Sequence, residues 1–156
     1  MSRVFISSIF RWCFAIGFVV SFGILFTTGA TWAGEKVAAI TLSEIRLFAF
    51  GGIGFAGTTS EGEVAFNNVM ASKTGAADFA QILKTGRPEA QCYALVGLRL
   101  KDRPAFDEQV KHFASSKQEV QTCAGCMMSK QPMSSVVANI QKGWYDDRGK
   151  SGPPKR

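Results

Sequence analysis

Hydrophobic positions along the chain fall into three regimes. From Trp12 to Phe26 the residues are apolar, interrupted only by glycine and serine, with Arg3 and Arg11 ahead of them. From Ser43 to Phe50 the pattern alternates, with Ile45, Leu47 and Ala49 set against Glu44 and Arg46, the period-two signature of a strand. Beyond Ser60 the apolar residues recur at helical spacing.

Local signals bound these helical stretches. Ser60 and Glu63 read as a capping box, in which Ser60 caps the helix and Glu63 reaches back to its free amide. That helix carries Val64, Phe66, Val69 and Met70 and ends before Gly75. A second runs from Ala76 to Thr85, stopped by Gly86, and a third from Pro88 to Leu100. The third is apolar around most of its circumference, which predicts a central buried helix, and Gly97 would let a neighbour approach it closely. Asp102 caps a fourth, striped by Phe106, Val110 and Phe113. Glu119–Thr122 reads as a short strand, and Pro132 opens a last helix carrying Met133, Val136, Val137 and Ile140, stopped by Gly143. Trp144 and Tyr145 are expected to fold back on it. The expected class is mainly α (α+β): about five short helices in antiparallel hairpins with a small β element.

The stretch Gly86–Arg99, with its proline start and Ala94-Leu-Val-Gly-Leu-Arg99 ending, resembles the second helix of a HEAT-like repeat. Ala77–Leu83 stands where the partner helix of such a repeat would lie. The resemblance covers roughly 25 residues with no second copy at repeat spacing, so it implies a helix hairpin and carries no function.

Charge and composition then fix the setting. No Asp or Glu occurs before Glu35, and the apolar run is followed by small residues with Thr28-x-Ala30 and Thr31-x-Ala33 exits. This is the pattern of a signal peptide over residues 1–33, and it predicts export to a periplasm or the extracellular space. The alternative is an uncleaved anchor over residues 12–34, in which case that segment alone contacts the membrane. No adjacent arginine pair and no Asn-x-Ser/Thr acceptor is present. Residues 34–147 form the expected single domain, and the basic, Pro/Gly-rich residues 148–156 the expected disordered tail. The net charge of +6 lies entirely in the two ends, because Gly34 to Asp147 holds 12 basic and 12 acidic residues. A neutral domain argues against nucleic acid as a partner.

Gly52-x-Gly54-x-x-Gly57 follows the predicted strand and precedes a helix, formally a dinucleotide fingerprint. Against it, the cap at Ser60 begins a separate helix, Glu61 and Glu63 would repel a pyrophosphate, and the next element is another helix. No cofactor is expected. The glycines serve either a sharp turn or a binding loop with Phe55 at its tip.

Three cysteines follow the apolar segment: Cys92, Cys123 and Cys126. In an oxidising compartment they predict a disulfide, with Cys92 bridged to Cys126 ahead of Cys123, because Gly125 frees the backbone to turn. Redox chemistry at Cys123-x-x-Cys126 lacks a helix N-terminus, and Met127 stands where covalent haem needs histidine. Zinc on Cys92, Cys123, Cys126 and His112 is weakened by the position of His112 off its helix's apolar stripe. Cys123, Cys126, Met127, Met128 and Met133 offer soft ligands that suit Cu(I). A single histidine and no nucleophile elbow leave hydrolysis without a catalytic set. The carboxylate pairs Glu61/Glu63, Asp107/Glu108 and Asp146/Asp147 sit in helix first turns or beside the tail. The expectation is an exported, disulfide-stabilised, non-catalytic binding or structural module, whose partner is a protein or other envelope component. The alternative is a Cu(I)-binding or thiol-redox factor.

Overall fold

The computed structural model describes residues 29–147. The expected signal segment up to residue 28 and the tail from residue 148 lie outside the described residues. Among the described residues six helices dominate: α1 (Gly29–Ser43), α2 (Glu61–Ala71), α3 (Gly75–Thr85), α4 (Pro88–Lys101), α5 (Arg103–Phe113) and α6 (Met133–Gln141). Two small antiparallel hairpins accompany them, β1 (Gly52–Ile53) with β2 (Thr58–Thr59), and β3 (Glu119–Ala124) with β4 (Met127–Pro132).

α4 is the central helix. Ala90 and every residue from Cys92 to Leu98 are buried, so no single stripe faces the core and the other helices pack around it. Pro88 begins it where no amide partner is lost, and Arg99 and Lys101 complement its C-terminal dipole. α3 runs antiparallel to it: Phe79 lies over Gly97, Gln91 Nε2 donates to the Leu83 carbonyl (3.0 Å), and Lys101 Nζ donates to the Ser72 carbonyl (2.9 Å). Gly97 matters because a Cβ there would enter the Phe79 ring. The helix hairpin expected from Ala77–Arg99 is therefore present.

Aromatic side chains fill the space between α4 and the segment before the first hairpin. Phe48, Phe50, Phe66 and Tyr93 meet edge-on or tilted at centroid separations between 4.8 and 5.9 Å, and Tyr145 joins Phe48 at 5.2 Å. Tyr145 thus folds back on the core as the sequence suggests, whereas Trp144 stays exposed.

Three expectations change. α1 is a helix that the residue pattern did not predict, and it includes Ala30 and Ala33, the last residues of the two small-residue exits. Ser43–Phe50 is not a strand: Ser43 ends α1, Glu44 turns the chain, and beyond it only Phe48 bridges Thr122. The reason is that Phe48, Ala49 and Phe50 are buried consecutively, and the Ala49 backbone bonds a side chain instead of a neighbouring strand. The capping box is half formed: Ser60 Oγ accepts from the Glu63 amide (3.0 Å), but the Glu63 carboxylate accepts from the Gly51 amide (2.8 Å).

Candidate functional site

The two loops singled out in the sequence meet at one end of the molecule. Gly52 and Ile53 pair with Thr59 and Thr58, so the glycine-rich segment is a tiny hairpin and not a strand feeding a helix N-terminus. Its residues 54–57 form the turn, which leaves Phe55 fully exposed, at 103 % of its reference surface. β3 and β4 pair over six positions from Glu119↔Pro132 to Ala124↔Met127, leaving Gly125 and Cys126 as a two-residue turn. Gly125 has φ +58°, the left-handed geometry that glycine favours at the first position of such a turn. The loops are joined where the Gly54 amide donates to the Gly125 carbonyl (2.9 Å), beside an Ile53–Gly125 bridge.

Met127 and Met128 are 78 % and 62 % exposed, on the strand that leaves this turn. Together with Phe55 they place three large apolar side chains in water around one hydrogen-bonded junction. Below the junction lies an open groove of about 620 Å³, lined by Ile45, Leu47, Ile53, Thr58, Gln121 and Met128 among others.

A polar node holds this end to the core. Tyr93 Oη donates to the Ala49 carbonyl (2.6 Å) and accepts from the Ala49 amide (2.9 Å), while Ser60 Oγ donates to the same carbonyl (2.9 Å). Gly62 admits the ring, since a Cβ there would stand 2.6 Å from the hydroxyl. Burial pushes the Tyr93 phenol up to about 12, against the pull of its bonds to Ser60 and Ala49. Glu89 is also buried, and its Oε1 accepts from the Gln121 amide (3.1 Å), which fixes β3 against α4. Sequence reasoning missed both residues. The available signal was a tyrosine and a glutamate inside a helix expected to be buried.

The cysteines are free thiols, so the expected Cys92 bridge is not formed. Cys92 is buried within α4, whereas Cys126 is exposed in the hairpin turn. Gly125 does turn the chain as anticipated, but it turns it into β4 and not toward Cys92. Burial, reinforced by the Glu89 carboxylate, pushes the Cys92 thiol far up.

The zinc set is not assembled. His112 is exposed on α5, and among the described residues no three of His, Cys, Asp and Glu converge to hold a metal ion. The soft-ligand set is divided by the register. Cys123 stands opposite Met128, so these two share a face, while Met127 pairs with Ala124 on the other face. Met133 is fully buried in α6 and drops out.

The carboxylates serve structure. Asp146 holds Arg99 in a bidentate pair (2.7 and 3.0 Å), Asp107 pairs with Arg103 (3.0 Å), and Glu63 bonds Gly51. Hydrogen bonding to Asp146 holds the Arg99 guanidinium above its ordinary range. Among the described residues no helix is long and apolar enough to cross a membrane. No protein-family model matches the chain, and neither does any curated protein or solved structure.

Proposed function

We propose that the protein is an exported, non-catalytic binding module, and that its contact surface is the junction of the two hairpins. The observation that carries this reading is the exposure of three large apolar side chains, Phe55, Met127 and Met128, each within three residues of the Gly54–Gly125 bond. Burying one such side chain is worth about 1.5 to 3 kcal/mol, which the free protein forgoes three times in one place. Single exposed apolar residues are ordinary, but clusters mark contact sites, and aromatic and methionine side chains are the types enriched there. The glycines that could have cradled a phosphate are instead committed to hairpin geometry, and Ser60 already occupies an amide of the helix start. The partner fitted by such a surface is a protein of the cell envelope that presents a complementary apolar patch.

Site-specific photo-crosslinking in expressing cells tests this. A photoreactive residue at position 55 or 127 is expected to give a discrete adduct. The same probe at Glu108, on the outer face of α5, is expected to give none. Equal labelling from all three positions, or none from positions 55 and 127, would remove the assignment.

A further inference from the structure

We propose that the turn of the β3–β4 hairpin is a soft-metal site. It takes Cu(I), or an ion of the same thiophilic class, through the thiolates of Cys123 and Cys126, with the Met128 thioether as a third ligand. The proposal rests on the reading of this end as the binding end of the protein, and it names a ligand for it.

The register supplies the first part of the geometry. Cys123 and Met128 are direct cross-strand partners, and such pairs have Cβ atoms about 5 Å apart on one face of a hairpin. The sulfur of Cys123 leans over the turn, because its thiol donates to the Gly125 carbonyl at 3.4 Å. The Gly125 carbonyl belongs to the peptide that carries Cys126, so the second thiol is the next side chain along. Nothing in the core has to move to bring the three sulfurs together, since Cys126 and Met128 are exposed and Cys123 is half-buried.

The donor set then selects the ion. Two thiols and a thioether offer no imidazole and no carboxylate, so magnesium and calcium find no oxygen ligands and zinc no fourth protein ligand. That agrees with the lack of any convergent His, Cys, Asp and Glu trio among the described residues. Loading releases two thiol protons to solvent and leaves Cu(I) held by two thiolates without any change of oxidation state. Deprotonation also breaks the Cys123–Gly125 bond, which frees the sulfur to turn onto the ion. Meanwhile the Gly125 carbonyl keeps its bond from Gly54. Met127, on the opposite face, and Cys92, inside α4, are not ligands.

The test is anaerobic Cu(I) titration of the full chain, purified as cells process it, in competition with bathocuproine disulfonate. About one equivalent is expected to be retained. Cys123→Ser with Cys126→Ser is expected to lower the affinity by about 100-fold or more, and Met128→Leu by about 10-fold. Cys92→Ser should bind as the unsubstituted protein does. Both hairpin cysteines lie outside the core, so an unchanged thermal melt confirms that the variants fold. No retention by the unsubstituted protein would overturn the site. So would retention that survives the double cysteine substitution. Adducts from position 55 without Cu(I) retention would leave the contact surface standing and remove the metal.

Discussion

The hydroxyl of Tyr93 bonds both backbone groups of Ala49, donating to its carbonyl at 2.6 Å and accepting from its amide at 2.9 Å. One side chain from the central helix thereby does the work of a neighbouring strand. It fixes the segment that leads into the first hairpin.

Tyr93→Phe removes both bonds and strands the buried Ala49 amide, while the Ala49 carbonyl keeps its bond from Ser60, so a destabilisation of about 1 to 3 kcal/mol is expected. The same residue sets an alkaline limit. Its phenol is raised from 10.0 to about 12, so the folded state holds the proton more tightly than the unfolded chain. The stabilisation is therefore complete below pH 10 and is lost as pH rises from 10 to 12, amounting to about 2 to 3 kcal/mol. Denaturant melts across that range should show the loss in the natural protein and a flatter profile in Tyr93→Phe.

Ser60→Ala deletes the cap of α2 and the donor to Ala49 together. Cap loss alone costs about 1 kcal/mol, and the shared network should bring the total to about 2 kcal/mol. A double-mutant cycle with Tyr93→Phe should show coupling, because the two hydroxyls share one carbonyl acceptor. Strict additivity would mean that they act separately.

Gly97→Ala places a methyl group inside the Phe79 ring, forcing α3 from α4. An overpacking loss of about 1 to 3 kcal/mol is expected, against the small gain in helix propensity that alanine brings elsewhere. Gly97→Ala with Phe79→Leu should recover part of the loss.

Thiol labelling separates the cysteines. In the reduced, metal-free protein Cys123 and Cys126 are expected to react quickly with Ellman's reagent. Cys92, buried and with its thiol pushed up, should react only after unfolding. Fast labelling of all three thiols in the native protein would contradict the burial of α4.

The helices beyond Ser60 were legible because their ends are written in the sequence, whereas α1 carries no acidic first turn and no basic last turn to mark it. Asp102 accepts from the Ala105 amide as its position implies, Pro88 and Pro104 sit in first turns, and Gly86 closes α3. Ser43–Phe50 misled because Glu44 and Arg46 alternate with Ile45 and Leu47 only on the solvent side. The bonding partner that keeps Ala49 out of a sheet is a tyrosine 44 positions away. β4 was invisible because Ser129, Lys130 and Gln131 carry no strand pattern, and their pairing is imposed by the tight turn at Gly125. The disulfide was inferred from compartment and from the freedom of Gly125 to turn the chain, neither of which says where the thiols lie. Phe55 and the Cys123–Met128 segment were each visible as candidates. Their meeting depends on one backbone bond between glycines, which leaves no trace in side-chain pattern.

That bond is also where the claim of a single contact surface is most exposed to test. Amide hydrogen exchange of Gly54 in the free protein reads it directly. A slow-exchanging Gly54 beside a freely exchanging Phe55 is predicted, with Gly54 speeding up when the β3–β4 turn is loosened by inserting glycine after Gly125. Exchange of Gly54 at the rate of an open loop would contradict a preformed junction and leave Phe55 and the Cys–Met hairpin as unrelated protrusions.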